Sequence, residues 1–563
     1  MRVKNCVSWV IVLLGLAAVH AETFAVGTDA ASAAHADGVF VPPIPKAGAG
    51  YGDPETMNAD IHKYINNVSA YHSFCVYEGQ TDLLKSRYLP SAMGPKDGAL
   101  RGGEPVPVDM GADELFGPPS AVGPAVGPAV GPIDEDGTQV YAASIVSLDA
   151  EAIRLRVDMA ALAPETEVWV VDPQTPRAFG PYTAQDHAPG GRWLATVQGD
   201  EAVLVVRTGG QELPAIQLTE YAHIFLSFRE IYKELACHLD VSCETAPSVL
   251  DVASGTGLLI IGGALFCSGA LINNPHTEDL EPFFVTANHC ACSREDARAA
   301  EVVWDFRSTG CDLDDAPDLA TLPRSNGEAL LATDYLVDAT LLRLDSVPTG
   351  EYGRAYAGWD ARTPDVAEKI STIHHPQATS MRVSKGSVLA VDQEEGLHDR
   401  QIKVLWEKGV TEKGSSGACL IFADSYRVIG MLSQGPTHTC GPDRSGNVDW
   451  FASFQYFYPK AKDYVDTPTP STEEGEDDCD PASGNLCPFL IGFWSCPDII
   501  ADFRAFRDNL LLKNDAGRML VTAYQAGAPS IAKAMLECPP ARKAFVVLSA
   551  PFAGIGAAVE RAF

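Results

Sequence analysis

Positive charge is scarce in this 563-residue sequence, with 41 Lys and Arg against 74 Asp and Glu and a formal net charge of −33. So acidic a surface repels phosphate backbones and anionic bilayers, which argues against nucleic acid as a partner and against electrostatic attachment to membranes. Long apolar runs are missing as well. The run from Val7 to Val19 and the tail from Ala544 to Val559, which Pro551 interrupts, are both short of the roughly 20 residues that span a bilayer. No stable membrane insertion is therefore expected. Zinc-like ligand spacing is also lacking. Cys290 and Cys292 form a lone Cys-x-Cys, and His374 and His375, as neighbours on a strand, point in different directions with no carboxylate or cysteine at ligand spacing. Neither a metal nor an organic cofactor is expected.

What is present first is an export signal. Arg2 and Lys4 precede the short apolar run, and small residues end it at Ala21, the pattern of a signal peptide covering residues 1–21. The protein is expected to be secreted, extracellular or periplasmic, with cell-surface association left open. Of its fourteen cysteines, Cys6 leaves with the signal; outside the cytoplasm the others read as disulfides.

A chain of this length exceeds one hydrophobic core, so several domains are expected. Residues 22–136 read as poorly structured, with a helix-like patch around "MNADIHKYINNVSAYHSF" and a Gly/Pro/Ala/Val repeat that acts as a linker. From about 137 to 225 the period becomes two. In "AIRLRVDM", Ile153, Leu155, Val157 and Met159 share one face. This predicts a small β-sandwich, and its position suggests a propeptide or chaperone-like domain. Residues 230–465 hold many short strands. An acidic, Pro- and Thr-containing stretch at 466–486 reads as a solvated linker, and 487–563 has helical periodicity. The segment "FREIYKELAC" reads as helix and contains Arg229 and Lys233 as processing candidates.

The chemistry lies in 230–465. Peptide hydrolysis by serine needs a hydroxyl nucleophile, an imidazole to take its proton, a carboxylate to orient the imidazole, and backbone N–H donors for the oxyanion. "TEKGSSGAC" offers Ser416 as nucleophile, with the amides of Gly414 and Ser416 as donors. "FFVTANHC" ends an apolar strand at His289, beside Cys290; a bridge from Cys290 to Cys267 would clamp the histidine loop to an earlier strand. In "TDYLVDATLLRL", Asp338 directly precedes an apolar strand and is the expected carboxylate, whereas Asp334 reads as a solvated loop acid.

The order His, Asp, Ser resembles the chymotrypsin-fold serine peptidases, and the pieces "CHLDVSC", "CSGALINN", "FFVTANHC", "VDATLLRL", "AGWDAR", "IHHP", "GVTEKGSSGACLI" and "IGMLSQGP" resemble the bacterial lysyl endopeptidases over about Cys237 to Tyr458. The resemblance implies a double β-barrel, a triad of His289, Asp338 and Ser416, and disulfides Cys237–Cys440, Cys243–Cys311 and Cys267–Cys290. Cys292 and Cys419 have no counterpart among these bridges: they pair with each other, pair elsewhere, or stay free. Ser415 stands where trypsin-type zymogens have an aspartate that pairs with a newly cut N-terminus, so activation by that ion pair is not expected. The pocket departs from the family. Val410 holds the trypsin-type acid position, the family's own acid position falls on Gly446 or Asn447, and Ser433 replaces a pocket histidine, while Trp359 is retained. Lysine preference then requires Asp449 or Asp443 to reach the pocket; otherwise apolar or small side chains are expected. The block from Cys487 onward resembles the CFI-box type of C-terminal domain, for which no partner is implied.

These observations describe a mainly β, secreted serine endopeptidase precursor acting on proteins or peptides. Two rivals remain: a binding or adhesion protein on a silent protease fold, and an esterase using the same triad.

Overall fold

A computed structural model describes residues 72–77, 98–116 and 138–479, apart from 176, 210–211, 229–234, 277–279, 314, 316 and 396–397. The signal segment, the Gly/Pro repeat, the processing candidates and the C-terminal block lie outside these residues. No helix among the described residues is long and apolar enough to cross a membrane.

The N-terminal part is a two-sheet sandwich. Its elements are β1 (His72–Tyr77), β2 (Leu100–Arg101), β3 (Gly103–Gly111), α1 (Ala112–Phe116), β4 (Gln139–Ser147), β5 (Ala152–Asp158), β6 (Glu167–Asp172), β7 (Arg177–Tyr182), β8 (Arg192–Trp193), β9 (Val197–Gln198), β10 (Glu201–Thr208) and β11 (Gln217–Ile224). One sheet runs β1-β4-β10-β6-β7; the other runs β3-β11-β5-β8, with β9 also on β5. Ile153, Leu155, Val157 and Met159 are all buried between them. The sandwich begins earlier than the sequence pattern indicates. Residues 72–74 of the helix-like patch are strand rather than helix, in keeping with the Phe, Val and Tyr of "HSFCVY". β3 carries Pro105 and Pro107, which hide its period; it sits at a sheet edge, where missing N–H donors are tolerated.

Two barrels follow. Their elements are β12 (Leu239–Asp240), α2 (Pro247–Ser254), β13 (Thr256–Ile261), β14 (Leu265–Ile272), β15 (Phe283–Thr286), α3 (Arg294–Ala299), β16 (Ala300–Val303), β17 (Arg324–Asp334), β18 (Ala339–Leu344), β19 (Lys369–His374), β20 (Arg382–Glu395), β21 (His398–Lys408), β22 (Cys419–Phe422), β23 (Val428–Gln434), β24 (Val448–Ser453) and α4 (Phe454–Val465). The first barrel runs β13-β16-β17-β18-β15-β14 and closes by β13–β14 pairing; the second runs β20-β19-β22-β23-β24-β21 and closes by β20–β21 pairing. This is the double six-stranded barrel implied by the sequence. A single apolar cluster joins them, with Ile272, Val285 and Leu341 of the first barrel against Ile373, Met381 and Met431 of the second, and with Phe454 and Phe457 of α4.

The acidic stretch after α4 is not simply solvated. Glu474 pairs with Arg298, and Lys460 pairs with Asp334 and Asp478. Gly475 N–H donates to Leu330 O, and Asn288 Nδ2 donates to Asp478 O at 2.7 Å. Acids written as a linker thus find cations on the barrel surface, and one of their carbonyls holds the residue before His289.

The segment crossing between barrels is pinned by Arg354, which is fully buried. Its guanidinium forks onto Asp305 at 2.7 and 3.0 Å, donates to Ser254 O at 3.0 Å, and lies over Trp304. Truncation leaves a buried carboxylate unpaired, so Arg354→Ala should cost about 3–5 kcal/mol. A shift of the urea midpoint measures this, and an unchanged midpoint would remove Arg354 from the structural role assigned to it.

Candidate active site

Strand register brings the histidine and the carboxylate together. β15 and β18 are antiparallel, with Thr286 opposite Thr340. His289, just past Thr286, and Asp338, just before Ala339, therefore emerge at the same end. Asp338 has a left-handed φ of 68°, and its N–H donates to Asp334 O, while Asp334 Oδ1 caps the same turn through Val337 N–H. The turn aims the Asp338 carboxylate at His289. Asp338 Oδ2 lies 2.8 Å from His289 Nδ1, and Oδ1 accepts the His289 backbone N–H at 3.0 Å.

Asp338 is fully buried. Burial alone would raise its pKa, but the charges of His289 and His398 and the bonds from His289 and Ser433 outweigh burial, holding the carboxyl well below its usual range. Ser433 Oγ donates to Asp338 Oδ2 at 2.5 Å, and His398 Nε2 stands 3.7 Å from the same oxygen, its Nδ1 fixed on Tyr335 O. Ser433, read in the sequence as a pocket residue, serves the carboxylate here.

The loop carrying Ser416, the candidate nucleophile, lies between β21 and β22. Gly414 has φ 90°, and a Cβ there would be 2.8 Å from both Ala378 N and His375 O. Gly417 has φ 79°, and a Cβ there would be 2.1 Å from Thr286 Oγ1 and 2.8 Å from Ala287 N. The Ser416 turn is thus pressed against the strand end that leads to His289. Ser268 fastens it: its N–H donates to Ser416 O at 2.8 Å, its Oγ donates to Gly414 O at 2.9 Å, and its carbonyl accepts from Thr286 Oγ1. The neighbouring Cys267 is bridged to Cys290, the residue after His289.

With their carbonyls held, the Gly414 and Ser416 N–H groups meet no protein acceptor among the described residues. Ser416 Oγ and His289 Nε2 likewise have no hydrogen-bond partner, each other included. Bonds of this kind are often long before substrate arrives.

The loop is braced from behind. Ser415 Oγ pairs with His374 Nδ1 at 2.7 Å and accepts the Glu412 N–H. The Glu412 carboxylate accepts Leu235 N–H and His238 Nε2, both at 2.8 Å, and Gln377 Nε2. Burial opposes its ionisation, yet the His238 bond and charge hold its pKa below the usual range. A side chain four residues before Ser416 thus ties the loop to the start of the barrel region without a free amine. Cys237–Cys440 and Cys243–Cys311 are bridged as well. Cys292 is oxidised and Cys419 is a buried free thiol raised to about 12, so these two do not pair with each other.

The adjacent histidines are structural neighbours of this loop. His374 is held by Ser415 and Ser384; His375 donates from its backbone to Ser268 Oγ, stacks on Phe306, and is lowered by burial to about 4. Cys267, His289 and Cys290 lie within ion-binding distance of one another, but the two sulfurs are bonded to each other and offer no thiolate.

The pocket residues separate. Asp443 is exposed. Trp359 is buried against Phe454 and Tyr458 and donates to Asn273 O. Val410 is buried, and next to it Thr411 hydrogen-bonds Asp449. Asp449 is fully buried and also takes Trp406 Nε1 at 2.6 Å and faces His438 Nε2 at 3.1 Å. Ser268, Glu412 and His398 were not singled out by sequence. Only Glu412 and Ser268 lay inside quoted motifs, and nothing in those motifs marks a side chain that holds another segment.

If Glu412 orders the oxyanion loop, Glu412→Ala should lower kcat/KM by about a hundredfold or more, the scale of losing an oxyanion donor. Glu412→Gln, which still accepts from Leu235, should recover part of it. Steady-state kinetics on a peptide substrate tests this, and wild-type kinetics in the alanine variant would refute the role.

Residues 233–452 match the family model described as lysyl endopeptidase, C-terminal domain. A lysyl endopeptidase of Pseudomonas aeruginosa is 29% identical over 246 residues, covering 41% of this chain and 51% of that protein. The chain thus spans about half the length of this curated relative. Among solved structures, human heparin binding protein is 18% identical with a TM-score of 0.30, over 41% of this chain and 98% of that one. An HtrA-type protease with a tripeptide is 13% identical with a TM-score of 0.27, over 38% and 62%.

Proposed function

We propose that the two barrels, matched over residues 233–452 to the lysyl endopeptidase family, form a serine endopeptidase that cleaves peptide bonds in proteins through an acyl-enzyme. Ser416 Oγ attacks the carbonyl carbon while His289 Nε2 takes its proton. Asp338 keeps His289 Nδ1 protonated and stabilises the imidazolium. The Gly414 and Ser416 amides bind the oxyanion. His289 then protonates the leaving amine, and water attacks the acyl-enzyme with His289 as base. No step requires a metal or organic cofactor.

The observation that carries this reading is the set of four unpartnered groups on two loops packed together: one hydroxyl, one imidazole nitrogen and two backbone donors. A buried polar group normally finds a partner. Leaving these four open fits a substrate that supplies the missing atoms. Export by residues 1–21 belongs to the same reading.

Specificity is read from Asp449. Its Oδ2 is engaged by Trp406 and Thr411, and His438 Nε2 stands 3.1 Å from Oδ1, so a lysine ammonium would have to share Oδ1 with His438. This favours apolar or small side chains beside Val410. The match to lysyl endopeptidases favours lysine instead, through the same Asp449.

A proteome-derived peptide library, cut by the wild-type protein and by Ser416→Ala, tests both levels. Cuts after apolar or small residues that vanish in the variant are expected. Ser416-dependent cuts at lysine, lost in Asp449→Asn, would establish the lysine reading. Absence of any Ser416-dependent cutting, together with no labelling by an active-serine phosphonate, would leave the binding-protein reading; ester turnover alone would leave the esterase.

A further inference from the structure

The β-sandwich does not rest on the first barrel as a separable cap. Leu100, Trp193, Ile224 and Leu226 share one hydrophobic cluster with Ile260 and Phe266 of the barrel. β2 adds to the barrel itself, pairing Leu100 with Phe266 and Arg101 with Leu265 on β14. Backbone meets backbone at the join: a Cβ on Gly103 would lie 2.0 Å from Gly263 O, and Gly263 in turn, at φ 70°, would meet Ala222 at 2.5 Å.

Charge is buried in the same contact. Glu301 of the barrel accepts Thr196 Oγ1 and N–H from the sandwich and lies 3.7 Å from Arg154 Nε and 2.6 Å from Arg324 Nη1. Arg154, on the sandwich, donates to Ala299 O at 2.6 Å. The Arg154 and Glu301 side chains are wholly excluded from solvent. This contact has charge at a dry centre, where parting the two sides would leave buried charges without their partners, and backbone fits closely against backbone beside it. Losing the sandwich would also bare the apolar surface under Phe266 and Ile260, an aggregation liability.

The described residues of the sandwich make no polar contact with the candidate triad: no hydrogen-bond or ion-pair partner of His289, Asp338 or Ser416 belongs to it. We propose that residues 100–228 are a permanent, non-covalent partner of the barrels: a cut in the segment joining them yields a two-chain protein in which the sandwich stays docked, rather than a released propeptide.

The test starts from folded full-length protein in which residues 229–234 are replaced by the recognition sequence of a site-specific protease. After cutting, size-exclusion chromatography at low micromolar concentration should return both chains in one peak at the uncut volume, and they should part only in denaturant. Arg154→Ala, cut in the same way, should release a measurable fraction of its sandwich. Separation of wild-type chains under native conditions, with the barrel chain remaining soluble, overturns the proposal. Because the readout is co-elution, it stands or falls independently of whether the barrels prove to be a peptidase.

Discussion

Ser268 is the contact on which the site depends. The Ser416 loop belongs to one barrel and His289 to the other, and this one small residue bonds to both the loop and the strand that leads to His289. Its backbone N–H and hydroxyl take the carbonyls of Ser416 and Gly414. Turning those carbonyls toward Ser268 leaves the Gly414 and Ser416 N–H groups available on the other side. The adjacent disulfide fixes the same strand to the histidine loop, and closing a loop of about this length contributes about 3 kcal/mol, chiefly by restricting the unfolded chain. Covalent and hydrogen-bonded restraints thus meet within two residues of β14.

Around that point, polar side chains act in layers. Ser433 and His398 attend the carboxylate, His374 and Glu412 the loop behind the nucleophile, and Asn288 the turn before the base. Each is paired, whereas Ser416 Oγ and His289 Nε2 are not. Paired neighbours around an unpaired hydroxyl and imidazole nitrogen fit a site preorganised for a substrate.

Much of this was legible in the sequence, for physical reasons that differ by residue. His289, Asp338 and Ser416 each sit at the end of a strongly apolar strand or in a glycine-flanked turn, so local pattern points to them. Ser268 and Ser433 are ordinary serines in apolar strands; their importance lies in what a distant segment brings opposite them, which no local period encodes. Trp359 shows the reverse: a tryptophan expected near the pocket is held in the core by Phe454 and Tyr458, from a helix almost a hundred positions later. The sandwich edge at β3 was masked by its prolines, and the acidic stretch 474–478 by a composition that signals solvation until specific cations meet it.

The brace at Glu412 depends on a distant covalent bond. Its donors, Leu235 and His238, flank Cys237, which is tied to Cys440 across 203 residues of sequence. Chain order alone gives that short segment no reason to stay beside Glu412; the covalent bond does. The brace at Glu412 contains no free amine, and the segment that supplies its donors is held by a disulfide. In a thiol-reducing compartment the segment is untethered, and in an oxidising one it is locked. Reducing that one bond would free the segment whose N–H and imidazole donate to Glu412, so the sulfur pair and the loop brace form one linked restraint.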